Sequence, residues 1–214
     1  MKKLLLGTMT LLLVIALAAT AQDSPYRALI DEICDDCSIY KDADLATVFD
    51  STYVDVEATG LSHVTRHRLT KVMTWSGAKQ MTALRLDYDP ASNFFEAQEI
   101  LIHRKCGNVE TVDVSKPYDH PQPQRMIYWG ARMKVYELPR LNPGDAVEVK
   151  TYMKGFLIAY LQEELFADEG DERYIPPMQG HYYDNIYFQE NDPLREKVYQ
   201  IRLTRDMPGQ YKVY

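Results

Sequence analysis

The feature that most constrains this chain is a grammar repeated from Asp44 onward: apolar and polar residues alternate with period two, a Gly- or Pro-bearing turn intervenes, and alternation resumes. It is clearest at Leu138 to Met153, LPRLNPGDAVEVKTYM. Pro143 presets φ and Gly144 accepts positive φ, so Asn142-Pro143-Gly144-Asp145 reads as a tight turn. The alternating segments on either side, Met133-Val135-Glu137 and Val147-Val149-Thr151, then read as the arms of a β-hairpin.

The same reading places a first hairpin at Ala46 to Thr59 and Val64 to Met73, broken at Gly60, with Val48, Val54 and Val56 on one side and Phe49 and Tyr53 on the other. A further hairpin joins Ala97 to Arg104 with Val109 to Val114 through Cys106-Gly107-Asn108. Strands are also expected at Leu84 to Tyr88, Tyr182 to Glu190 and Lys197 to Arg205. Trp75 to Met81 reads as a short helical or irregular crossover and Phe156 to Phe166 as a short helix or irregular segment. Lys116 to Gln124, with three prolines, reads as a long loop, because proline cannot donate to a strand ladder. About eight short strands with little helix define a mainly β fold, an antiparallel β-sandwich, over residues 45–214.

Residues 22–44 form a lead-in. Ser24-Pro25 reads as a helix start, with Ser24 as N-cap and Pro25 at the first helical position, and Tyr26, Leu29, Ile30 and Ile33 fall at helical spacing. Ahead of them, Lys2-Lys3, an apolar run from Leu4 to Ala18 and the small residues Ala19-Thr20-Ala21 read as a cleaved signal peptide over 1–21. The run is shorter than the roughly 20 residues a bilayer needs, so no membrane span is expected after cleavage. The expected location is the periplasm, the cell surface or the medium. Without its leader the chain keeps 22 basic against 31 acidic residues, a charge of −9 that argues against nucleic acid as partner.

Cys34-Asp35-Asp36-Cys37 is a CxxC, but it sits at a helix end in a β-rich chain, and its aspartates would raise the thiol pKa. A local Cys34–Cys37 disulfide fits better than a redox centre, leaving Cys106 free or paired with one of the two. Cys34, Cys37, His103 and Cys106 could form a tetrahedral zinc set, but an oxidising compartment favours disulfide over thiolate. A triad of Cys106 with His120 or His181 and Asp119 or Asp184 lacks the helix N-terminus or strained elbow that activates a thiol. His63 and His67 share a strand face about 13 Å apart, too far for one ion. The acidic stretch Glu163 to Glu172 matches no calcium loop and reads as solvated. No catalytic residue, metal or cofactor is expected. Tyr128, Trp129, Tyr182 and Tyr183 are the candidate binding residues, because exposed rings stack on sugars and grip extended peptide.

Several segments in fixed order resemble one family: Lys41-Asp42-Ala43-Asp44 into Val48-Phe49-Asp50, Thr65 to Val72 followed by Gly77, Tyr88-Asp89-Pro90, Glu99 to Arg104 with Gly107, Leu141 to Glu148, and Phe188 to Leu203 with Pro193. This pattern is similar to the N-terminal β-sandwich domain of unknown function that precedes transglutaminase-like domains in exported bacterial proteins. The resemblance implies an accessory module. Its catalytic Cys-His-Asp partner would lie beyond residue 214, and the module would position that domain or bind its polymer or peptide substrate. The alternative is a stand-alone carbohydrate- or peptide-binding module.

Overall fold

The structure, a computed structural model, describes residues 24–34, 37–90, 92–123, 130–156 and 182–204. The leader, Tyr128, Trp129, His181, Glu163 to Glu172 and Tyr211 to Tyr214 lie outside them, as does nearly all of Phe156 to Phe166. In chain order the elements are α1 (Arg27–Glu32), β1 (Leu45–Val56), β2 (Ser62–Val72), α2 (Trp75–Gln80), β3 (Ala83–Tyr88), β4 (Asn93–His103), β5 (Val109–Thr111), β6 (Tyr118–Pro121), β7 (Arg132–Glu137), β8 (Ala146–Gly155) and β9 (Lys197–Leu203). Nine strands make two sheets among the described residues: a six-stranded sheet ordered β5-β4-β8-β2-β1-β9 and a three-stranded sheet ordered β3-β7-β6. The fold is mainly β, a sandwich with two short helices.

Alternation explains the packing. Ile100 and Ile102 of β4, Val147 of β8, Leu45 and Val72 point to one face of the large sheet, where they meet Tyr136 and Leu138 with Leu84 and Leu86 from the small sheet. The opposite face carries Ala46, Val48, Phe49, Leu69 and Ala146, covered by Ile30 and Ile33 of the α1 region. A six-residue helix is not stable alone. Burying Ile30 and Ile33 completely contributes about 3–6 kcal/mol and holds it in place. A bulge between Thr47 and Phe49 breaks the alternation of β1. It brings Val48 and Phe49 into one cluster, where strict alternation had set them on opposite faces.

The β1–β2 and β4–β5 hairpins form as the sequence predicts, with turns at Gly60 and Gly107. The central hairpin does not. β7 pairs with β3 and β6, whereas β8 pairs with β2 and β4, so Leu138 to Asp145 is a crossover between sheets. Its turn is still made at Gly144, φ 93°, but it anchors on other elements. The Gly144 amide donates to Val72 O (2.8 Å), Asp145 O accepts from the Val72 amide (2.9 Å), and the Asp145 carboxylate takes the Lys105 amide and Arg104 (2.9 Å each).

Four further expectations are corrected. Lys116 to Gln124 contains β6, which tolerates Pro121 because among the described residues it is an edge strand paired only with β7. Tyr182 to Glu190 has no ladder partner among the described residues and is not a strand. β9 runs parallel to β1, so the large sheet is not wholly antiparallel. Ser24 does not cap α1; Tyr26 holds the N-cap position with no side-chain cap, while Ser24 Oγ accepts from the Tyr26 amide (3.3 Å) in the preceding turn. α2 matches its expectation and is capped by Thr74, whose Oγ accepts from the Gly77 amide (3.1 Å). Any side chain at Gly77 would collide with the Asp44 carbonyl, 2.0 Å from an ideal Cβ.

Candidate functional site: an open sheet face

The face of the large sheet under α1 continues beyond the helix. Register places Glu96, Tyr152, Thr65, Tyr53 and Gln200 in one row across β4-β8-β2-β1-β9, and Phe94, Lys154, His63, Asp55 and Arg202 in the next. Five strands at ~4.8 Å spacing make these rows about 19 Å long. Phe94 is 45 % exposed, and Tyr53, Thr65, Glu96, Gln200 and Arg202 are exposed as well. The Phe94 and His63 rings flank Tyr152, with centroids 6.5 and 6.2 Å away.

Two pairs of groups on this surface are tied to one another. His63 Nε2 donates to the Glu57 carboxylate (2.7 Å), and its Nδ1 meets the Tyr152 hydroxyl (2.7 Å). Arg202 forks onto Asp55, Nε to Oδ1 at 3.0 Å, and holds that carboxyl below its ordinary value. The result is a flat field of rings and fixed hydrogen-bonding groups.

The structure separates the two candidate tyrosines it describes. Tyr182 is an anchor: its hydroxyl meets that of Tyr199 on β9 (2.7 Å), and Tyr199 donates to Asp184 (2.7 Å). Burial first, then the neighbouring Asp184 charge, push Tyr182 up to about 12. Tyr183 is 61 % exposed beside Ile186, Tyr187 and Phe188, which are also exposed. The sequence reading chose this segment for its aromatic density. It missed Phe94, Tyr53, His63 and Tyr152, which lie on four strands and are joined only by register.

Two carboxylates lie deep in the sheet. Glu148, 2 % exposed, sits under α1 and accepts from His67 Nε2 (2.6 Å), His103 Nε2 (2.7 Å) and Lys150 Nζ (3.2 Å). Burial would raise its pKa, but the hydrogen bonds from His103, His67 and Lys150 hold it well below the usual carboxylate range. The Tyr26 ring lies edge-on to both imidazoles, at 5.9 and 5.8 Å. On the opposite face Asp50 is fully buried. Burial again raises it, and the Arg66 fork (2.8 and 2.6 Å) with Arg68 and Lys197 brings it below its ordinary value. These groups hold the sheet together. In the sequence they are indistinguishable from solvent-facing polar residues.

Cys34 and Cys37 form a disulfide with Cα atoms 5.4 Å apart, and Cys106 is free and exposed. The bridge uses two of the four ligands the zinc set required. Among the described residues no group of three or more His, Cys, Asp or Glu converges as a metal site. Asp119 accepts from Tyr88 (2.6 Å) and Arg132 (2.8 Å) on the small sheet, while Cys106 lies on the β4–β5 turn of the large one.

A two-sheet β-sandwich with an N-terminal helix laid on one face is the class these features define. The chain belongs to the DUF3857 family, described as a domain of unknown function with a solved structure, whose model matches residues 58–214. No curated protein matches its sequence. Among solved structures it overlaps a putative protease from Parabacteroides distasonis at 10 % identity and TM-score 0.47, covering 52 % of this chain and 23 % of that one. A family 3a carbohydrate-binding module from the cipA scaffolding of Clostridium thermocellum overlaps at 14 % identity and TM-score 0.31, covering 52 % of this chain and 75 % of that one. An M1 zinc metallopeptidase from Deinococcus radiodurans overlaps at 13 % identity and TM-score 0.29, covering 54 % and 21 %. Likeness at this level carries no argument about function.

Proposed function

We propose that this chain is an exported, non-catalytic module that binds an extended neutral polymer, a polysaccharide first of all, on the open face of β4-β8-β2-β1-β9. The observation that carries the reading is the pair of rows bearing Phe94, Tyr152, His63 and Tyr53 beside the Arg202–Asp55 pair. Ring faces stack on the apolar faces of sugars, and groups held in fixed geometry orient hydroxyls. Arg202 is matched by Asp55, and Glu96 and Lys154 set one charge of each sign in the two rows, so the surface offers no strong field to a charged chain. The overall charge of −7 further disfavours polyanions.

The test is retention of the protein on insoluble cellulose, chitin and xylan. Phe94→Ala and Tyr53→Ala should each weaken retention about tenfold, the equivalent of ~1.4 kcal/mol per ring. A protein retained on none of the three polymers, or equally well with both rings removed, would sink the proposal. A second reading, that the module positions a transglutaminase-like catalytic domain, is favoured by the exposed Tyr183, Ile186, Tyr187 and Phe188. Under it Tyr187→Ala and Phe188→Ala, rather than Phe94→Ala, would disturb function.

A further inference from the structure

Among the described residues β9 is the outermost strand of the large sheet and pairs with β1 alone. The Asp50 amide donates to Glu196 O (2.9 Å) and the Thr204 amide to Val56 O (3.1 Å), bracketing the parallel ladder. Between them Val198, Gln200 and Arg202 turn their backbone groups toward β1. Those of Tyr199, Ile201 and Leu203 therefore point outward, away from the sheet.

Such a row of outward N–H and C=O groups is a template for another strand, and edges are usually blunted by shortness, proline, a bulge or charge. The other edges among the described residues follow that rule: β5 has three residues, β6 carries Pro121, and β3 exposes Arg85 and Asp87. β9 does not. It has seven residues, no proline and no shift in register. Its charges are occupied, Lys197 by Glu190 (3.0 Å) and Asp50 (3.3 Å), and Arg202 by Asp55. Val198 and Ile201, each 42 % exposed, lie on opposite faces of the strand, and Leu203 follows on the side of Ile201.

We infer that the outer edge of β9 is a docking site for an extended segment of another polypeptide, added as a further strand. Only a polypeptide presents N–H and C=O groups at strand spacing, so the occupant is not the polysaccharide proposed for the open face. Alternating apolar side chains on the incoming strand meet Val198 on one face and Ile201 and Leu203 on the other. The net charge of −7 favours a neutral or basic segment and disfavours a second copy of this acidic chain.

The probe is a fluorescent synthetic peptide of alternating Val and Thr with Lys at both ends, titrated into the full chain and followed by anisotropy. A matched peptide N-methylated at alternate residues cannot donate across the edge. Saturable binding is expected, weakened about tenfold or more by N-methylation, the scale of one or two lost hydrogen bonds. Ile201→Pro should weaken it similarly while leaving the melting temperature nearly unchanged, because the amide it removes faces outward; Gln200→Pro would cut the β1 ladder instead. If Ile201→Pro unfolds the chain, the N-methylated peptide alone decides. Absent saturation, equal binding of the N-methylated peptide, or full binding by folded Ile201→Pro would each overturn the inference. So would concentration-dependent self-association that Ile201→Pro abolishes, which would assign the edge to a second copy.

Discussion

One sheet face carries the same pair, imidazole against carboxylate, in two settings. Near α1, His67 and His103 close on Glu148 beside Tyr26, where the His103 ring and the carboxylate are shut off from water. Two residues further along β2 beyond Thr65, His63 meets Glu57 at the open end, with side chains 29 % and 47 % exposed. Strand, alternation and distance are alike, and the cover differs. Under the helix the pair is fixed structure, since a buried carboxylate left without its partners is costly. In the open it costs little to keep or lose, so this end of the face is free to serve binding.

The sharpest way to break that contrast is Glu148→Ala, which leaves the two imidazoles without their shared acceptor and Lys150 with Glu99 alone. It should lower unfolding free energy by about 3–5 kcal/mol in a urea titration. A loss no larger than at Glu57 would mean α1 does not seal its end. The same group predicts a pH effect. Its folded pKa lies below the unfolded value of about 4.3, so its contribution is whole above that value and is lost as pH falls below it. Glu148→Gln should therefore flatten the acid limb of the stability curve.

Ile30→Ala tests the cover itself. Removing a fully buried side chain from α1 should cost about 2–4 kcal/mol and raise hydrogen exchange at Leu69 and Phe49 before it reaches the far end of β2. Glu57→Ala should cost about 1 kcal/mol or less by the same urea measurement. A larger value would show that the open end is structural after all.

Much of the strand layout was legible because alternation and turn chemistry are local. Val64 to Met73 and Ala97 to Arg104 carry their period in their own residues, and Gly60 and Gly107 mark where two hairpins turn. Leu138 to Met153 shows the limit. The turn at Pro143-Gly144 forms where the sequence places it, but its arms belong to different sheets, because a turn fixes the local chain direction and leaves the choice of ladder partner to distant strands. Tyr182 to Glu190 shows a second limit, since an alternating aromatic run becomes a strand only when a partner supplies its hydrogen bonds.

The sequence by itself determined that this chain is mainly β, where most of its strands lie, and that a short amphipathic helix precedes them. Tertiary structure decided which side of the large sheet is covered, which carboxylates are buried, that β9 joins β1 in parallel, and that Phe94, Tyr152, His63 and Tyr53 share one surface. The physical reason is range. Period and turn preference act over a few residues, whereas burial and register are fixed by partners tens of residues away.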